Sequence, residues 1–382
     1  MGDGASVKRI LWHGIGPWWP TGYGLQTALF APRIRDLGYR LVISQMGERP
    51  REASDTYMGV PVIGPGKVEY ALPVGEVKAA LGGDPDLIIV LKDPWVLNPA
   101  QFRGRNTAVW AALDTDSGMG HHDLSFFRGS GATPVACARH GHKIMRNAGL
   151  DPYYIPSGIE TGQWEAGDQA AARDLLGLPR GVFIAGLCAM NLGGQPSRKA
   201  FWEQFSAFAA FRQRHPSALL LAHTAPEHPE GEQLRPMVSA LGLEDAVLFG
   251  SHTQMRHDQM LTWYQSLDVL LMATMGEGVG LPAMEALACG VPVIGTDAAA
   301  LPERIPQGAG WLVSGQPWWN SHHRACWVTP SIPGIAAALE KAYRARPNHA
   351  ARRLGPQAMA AYDADYITRE YWKTALEELT DR

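Results

Sequence analysis

Cysteine is scarce in this chain. Cys137, Cys188, Cys289 and Cys326 are the only four in 382 residues. No two of them have the spacing of a zinc site or a redox pair. That argues against a disulfide scaffold and leads to the expectation of free thiols in a reducing compartment. Long hydrophobic runs are also missing. None approaches the roughly 18 apolar residues of a membrane-spanning helix. Residues 1 to 8 are polar and the next apolar run is short and interrupted, so no secretory leader is read there. Neither sign of charge dominates. With 34 Lys and Arg against 37 Asp and Glu, the net charge is −3, which disfavours a broadly basic nucleic-acid or membrane surface and leaves room for a short basic strip. The expectation is a soluble cytoplasmic protein. Apolar residues are plentiful at 46%, with 13 Trp among them, and the length suits two domains, each with its own core.

The most informative stretch covers residues 269 to 303. Val269-Leu270-Leu271-Met272 has the length and composition of a buried strand. Gly276, Gly278 and Gly280 follow within five residues, a segment that can turn sharply and bring backbone N–H groups close to a ligand. Pro282 suits the start of a helix, where its missing N–H costs nothing. Met284, Leu287 and Ala288 continue at helical spacing, Gly290 ends the helix, and Val291-Pro292-Val293-Ile294 reads as the next buried strand. The unit is strand, glycine loop, helix, strand. A helix N-terminus offers unpaired N–H groups and partial positive charge to an anion such as a phosphate. Glu277 in the loop and Glu285 in the helix can each accept two hydrogen bonds from a vicinal diol. A diphosphate between two diol-binding carboxylates describes a nucleotide sugar, with one Glu for the ribose and one for the sugar to be transferred.

The two Glu, set in Glu277-Gly278-Val279-Gly280-Leu281-Pro282 and Glu285-Ala286-Leu287-Ala288-Cys289-Gly290-Val291-Pro292-Val293-Ile294, resemble the signature of the family 4 glycosyltransferases. These are retaining enzymes of GT-B architecture. The resemblance is strongest from 183 to 303 and loose from 50 to 130. One departure is Ala299-Ala300-Leu301-Pro302-Glu303, where the family often has a Gly pair before Pro-Glu, so contacts near Glu303 are not carried over. The resemblance implies an α/β fold of two Rossmann-like βαβ domains facing across a cleft. They would span 1–162, on the acceptor side, and 163–360, on the nucleotide-sugar side. A C-terminal helix at 361–382 would cross back to the first domain.

The remaining candidate residues lie at the ends of predicted strands, where open α/β sheets bind ligands. The first strand runs into Thr21-Gly22-Tyr23-Gly24, similar to the family's N-terminal loop over the donor phosphates, so Gly22, Tyr23 and Gly24 are expected to touch the donor. The glycine spacing is not that of the dinucleotide fingerprint. The strand at 107–113 ends in Asp114-Thr115-Asp116. In the other large glycosyltransferase fold such a pair holds a divalent metal. Here the helix N-terminus already provides a diphosphate site, so no metal is assigned. The resemblance places Asp114 facing the reacting sugar. The strand at 182–187 leads to Asn191 and then Arg198-Lys199 at a helix start. The resemblance puts a phosphate-binding Lys at Lys199 and an Arg at about Asn191, and Arg198 stands in for that missing Arg. Thr253 follows the strand at 247–250, where the family holds the base. Gly278, Val279, Gly280 and Leu281 complete the donor loop. Trp318-Trp319 and His322-His323 lie in a segment read as irregular, either bordering the cleft or forming a surface loop.

The expected activity is transfer of a hexose from a UDP- or GDP-linked donor to an acceptor hydroxyl, with retention and with no metal or other cofactor. Asp114, Lys199 and Glu277 would carry the chemistry, and Glu285 would hold the ribose. The acceptor stays open among glycans, natural products, proteins and modified nucleic acid bases. Two other readings remain: a non-catalytic nucleotide-sugar-binding protein, and another GT-B-like enzyme such as a sugar epimerase.

Overall fold

A computed structural model describes residues 7–48, 50, 53–64, 70–193, 196–250, 255, 257–346 and 350–382. Among them the strands fall into two large sheets. In the first, Arg9–Ile15 (β1), Arg40–Met46 (β2), Thr56–Tyr57 (β3), Val60–Ile63 (β4), Leu87–Leu91 (β5), Thr107–Ala111 (β6), Thr133–Ala136 (β7) and Tyr153–Tyr154 (β8) run in the order β3-β4-β2-β1-β5-β6-β7-β8. In the second, Ile184–Cys188 (β9), Leu219–His223 (β10), Val247–Phe249 (β11), Val269–Met272 (β12), Val293–Thr296 (β13) and Gly310–Val313 (β14) run in the order β11-β10-β9-β12-β13-β14. All pairings in both are parallel except the short β3–β4 hairpin. The central strands are continuous apolar runs, fully buried in β5, β6 and β12. That is the mark of parallel strands covered by helices on both faces. No helix among the described residues is long and apolar enough to cross a membrane, and the four cysteines are unpaired.

The chain visits the first domain twice. Residues 364–380 form a helix with a π turn over Thr368–Trp372. They bury Trp372, Leu376 and Leu379 in the same cluster as Trp12, Phe30 and Trp110. Trp110 meets Trp372 edge to face at 5.0 Å and Phe30 at 5.4 Å, a geometry favoured by the ring quadrupoles. The indole N–H groups of Trp12 and Trp110 donate to Thr27 Oγ1 and the Ile155 carbonyl. These three Trp are therefore core residues. The two crossings between domains lie side by side. Ile159 N–H donates to the Tyr362 carbonyl at 2.9 Å, Ala364 N–H to the Ile159 carbonyl at 3.0 Å, and the Thr161 hydroxyl to Asp363 at 2.6 Å.

Two elements differ from the sequence reading. The segment from 315 is not irregular. It is a hairpin of Gly315–Asn320 (β15) and Ala325–Pro330 (β16), antiparallel and separate from both large sheets. Its turn is set by Asn320, whose side-chain oxygen accepts from His322 and His323 N–H, and by Arg324 at φ 52°, a turn chemistry that Asn favours. Residues 22–24 are not a loop either. They are the first turn of the helix Gly22–Asp36, because Thr21 caps it by accepting from Gly24 N–H at 3.1 Å.

Candidate functional site

The charged groups that meet at the cleft lie beyond the ends of three strands, β6, β9 and β12. From the second domain, β12 runs into 273–280 and then the helix Leu281–Ala288, which Gly280 opens at φ 82° without any side-chain cap. Pro282 has no N–H and Ala283 N–H is taken by the Gly280 carbonyl at 3.0 Å, so the first turn offers an anion the Leu281 N–H and the positive end of the helix dipole. Strand β9 leads through 189–200 into the helix Phe201–Arg212, with Ala200 held at φ 51°, a costly conformation for a residue with a Cβ. This turn is braced by Gln204, which donates to the Lys199 carbonyl and accepts from Ala273 N–H. It presents Arg198 and Lys199 to the glycine loop.

Lys199 Nζ lies 2.7 Å from Glu277 Oε2, and Arg198 contacts the same oxygen at 3.3 Å. Arg198 also donates to the Gly276 carbonyl, and its Nε lies 3.0 Å from Asp114 Oδ2. Side-chain exposures from 12% to 28% place these charges at the cleft wall, where screening is weaker than in bulk water. Burial would raise the Glu277 carboxyl, but Lys199 and Arg198 outweigh it and hold it down at about 2. Burial and the neighbouring Arg198 charge lower Lys199, against the pull of Glu277. Four residues from three distant stretches of the chain thus form one charged cluster across the cleft, beside an uncapped helix N-terminus.

Glu285 lies deeper. Burial pushes its carboxyl up to about 7, although a hydrogen bond from the Tyr264 hydroxyl at 2.7 Å works the other way. An unfolded Glu titrates near 4.5. Between about 4.5 and about 7 the folded carboxyl keeps a proton that the unfolded one releases, so this group makes stability fall as pH rises through that window. Asp123, lifted to about 7 by burial and then by Asp93 and Asp114, adds a slope of the same sign. The test is therefore a difference: Glu285→Gln should flatten the fall of Tm between pH 5 and 7 relative to wild type, and an unchanged slope would remove the burial reading.

Three expected contacts come out differently. Asn191 is buried, and its side-chain amide is spent within its own domain. It donates to the Ala225 and Glu232 carbonyls and accepts from Glu232 N–H. Its side chain anchors a loop and does not face the cleft. Tyr23 donates to Asp93 Oδ1 at 2.5 Å with Lys92 over its ring at 4.9 Å, so its hydroxyl is committed within the first domain. The loop glycines serve the domain contact. A Cβ on Gly276 would lie 2.1 Å from the Asp114 carbonyl oxygen, and one on Gly278 would lie 2.7 Å from the Ala112 carbonyl carbon. Gly22 sits opposite Leu281, and Gly24 is pressed against the Trp19 carbonyl. The Val279 carbonyl accepts from Arg304. Thr253 lies outside the described residues. Asp114 and Asp116 diverge, since Asp116 accepts from Ala299 N–H at 3.0 Å while Asp114 faces Arg198.

The sequence reading left Glu303 without a role, and it has one. Its two oxygens accept from Arg139 and His140 N–H at 3.3 and 3.2 Å, capping a first-domain helix from the second domain. The neighbouring Arg304, 0% exposed, donates to the Val279 and Cys137 carbonyls.

Residues 188–319 match the family model described as glycosyl transferases group 1. Among curated proteins, the chain is 31% identical over 169 residues to a D-inositol 3-phosphate glycosyltransferase of Acidothermus cellulolyticus, covering 42% of this chain and 36% of that protein. It is 30% identical over 158 residues to the lipopolysaccharide core mannosyltransferase LpsB of Rhizobium meliloti, covering 41% and 43%. The chain spans 36% to 53% of the length of three inositol-phosphate relatives. Among solved structures, sucrose-phosphate synthase from Thermosynechococcus elongatus superposes with a TM-score of 0.75 at 18% identity, over 98% of this chain and 100% of that one. HepE of Anabaena, solved with UDP-glucose, gives 0.73 at 16%, over 97% and 99%. The fold is thus GT-B, as the Glu277–Glu285 signature implied, and residues 188–319 are similar to the group 1 glycosyltransferases.

Proposed function

We propose that this protein is a retaining hexosyltransferase that uses a nucleoside diphosphate sugar, UDP- or GDP-linked. The observation that carries the reading is the Lys199–Glu277–Arg198–Asp114 cluster beside the uncapped Leu281 helix. When the donor enters, its diphosphate replaces Glu277 as partner of Lys199 and Arg198, and the Leu281 N–H at the helix start takes a further oxygen. Glu277, ionised at neutral pH, is released to accept from hydroxyls of the sugar. Glu285 accepts from the ribose diol. As the glycosidic bond breaks, negative charge grows on the leaving phosphate, where the two cations and the helix dipole are already aimed. No metal is required in this scheme because those groups neutralise the diphosphate. The departing phosphate oxygen takes the proton of the acceptor hydroxyl on the same face of the sugar, which retains the anomeric configuration. Asp114 faces this step from the first domain. The solved neighbours that contain UDP or UDP-glucose and the mannosyltransferase and D-inositol 3-phosphate glycosyltransferases among the relatives support a nucleotide-sugar donor.

A thermal-shift panel of UDP, GDP and their hexose conjugates tests this reading. A ligand at a hundred times its Kd adds about 2.7 kcal/mol of stability, so the matching nucleotide should raise Tm by several degrees in wild type and much less in Glu285→Ala. A flat panel with a folded protein would overturn the donor assignment.

A further inference from the structure

The β15–β16 hairpin belongs to the second domain by sequence, between β14 and the helix Ile332–Ala345, yet it is bonded to both domains. Val328 N–H donates to the carbonyl of Met275 in the donor loop at 2.8 Å. On the other side, the first-domain segment after β6 runs along β16 like a third strand. Asp116 N–H donates to the Cys326 carbonyl at 2.8 Å, and Cys326 N–H donates to the Ser117 carbonyl at 3.2 Å. His121 N–H, at the start of the helix His121–Ser130, donates to the His323 carbonyl at 2.8 Å. First-domain Trp95 stands edge to face with the rings of His322 and His323, at 5.3 and 5.7 Å.

Trp327 lies at the centre of this joint. It is 6% exposed, packed on Ala200 and Met275, with Trp318 stacked on it at 5.8 Å. Its Nε1 is 3.4 Å from Asp114 Oδ1, while Arg198 Nε is 3.0 Å from Oδ2. Both oxygens of a first-domain carboxylate therefore face donors supplied by the second domain. Two donors on two oxygens fix the carboxylate plane, which a single ion pair does not. The indole N–H is a donor only, so it orients the carboxylate without competing for a proton. At 3.4 Å the bond is long, as hydrogen bonds at reaction sites often are before substrate arrives.

We infer that the hairpin is a cross-domain clasp and that its Trp327 is a positioning residue, holding Asp114 in register with the reacting sugar. The inference rests on the transferase reading above. Trp327→Phe keeps a ring on Ala200 and Met275 and removes the N–H. Trp318→Phe trims the same stack without touching Asp114 and serves as the packing control. In 1H–15N spectra, the indole resonance that Trp327→Phe removes should move upfield in Asp114→Ala, and an unmoved resonance would overturn the contact. In steady-state assays with UDP- or GDP-hexose, following release of the nucleoside diphosphate, Trp327→Phe should lower kcat about tenfold, as expected for a misaligned group. Its KM for donor should stay within about twofold, the signature of an interaction that serves the transition state more than ground-state binding, and Trp318→Phe should match wild type. A Trp327→Phe kcat equal to wild type, or an equal loss in Trp318→Phe, would overturn the positioning role. A wild type that binds no nucleotide in the thermal-shift panel sinks the donor reading and the positioning role with it, whereas a moved resonance would still establish the contact.

Discussion

Glu277→Ala is expected to lower kcat/KM for glycosyl transfer by about two to three orders of magnitude, roughly 3–4 kcal/mol of transition-state stabilisation. Two effects combine. The donor sugar loses its carboxylate acceptor. Lys199 and Arg198 also lose the group that holds them together, since both contact the same Glu277 oxygen. What remains acting on Lys199 is burial and Arg198, which lower it, against the smaller pull of Asp114. The ammonium should therefore titrate lower in the variant than in wild type, and the variant's residual activity should begin to fall at a lower alkaline pH than the wild-type activity does. Steady-state kinetics across the alkaline range decides the matter. A variant with a near wild-type rate would show that Glu277 does not touch the sugar.

Gly276→Ala should be nearly as damaging for a different reason. Gly276 does not have a left-handed backbone, so alanine suits its conformation. The obstacle is across the cleft: the new methyl would lie 2.1 Å from the Asp114 carbonyl oxygen and 3.1 Å from the Trp327 ring. A backbone oxygen cannot swing aside, so the domains must part at the reaction centre. A displacement of about 1 Å costs on the order of a hundredfold in rate. Each domain has its own core, so the melting temperature should change little while kcat/KM falls about that much. Wild-type kcat in a folded Gly276→Ala protein would show that the contact is not needed for turnover.

What the sequence made legible was local. Val269–Met272, the glycine loop and the Leu281 helix are consecutive, and their apolar runs and breakers announce strand, turn and helix without help from elsewhere. Arg198 and Lys199 were legible for the same reason, as cations misplaced at a helix start. What stayed hidden depends on partners far away in the chain. The Trp327 indole meets a carboxylate 213 residues earlier, and Glu303 caps a helix 164 residues earlier. Asn191 looked like a donor contact because of its position, but its amide matches the backbone of Glu232, a partner that no spacing rule selects. The hairpin was obscured by its Pro, Trp and His content, which resembles a loop until the alternating Trp318-Trp319-Asn320 and Ala325-Cys326-Trp327 are set opposite each other.

The return of residues 364–380 to the first domain also bears on how the molecule is made. Synthesis runs from the N-terminus, so Trp12, Phe30 and Trp110 leave the ribosome long before Trp372, Leu376 and Leu379, their neighbours in the finished core. All of β9 to β16 is translated in between. The first half to emerge is thus the last to be sealed. Its apolar wall stays open while the second domain folds, and the closing segment arrives beside Ile159, the residue where the chain first left.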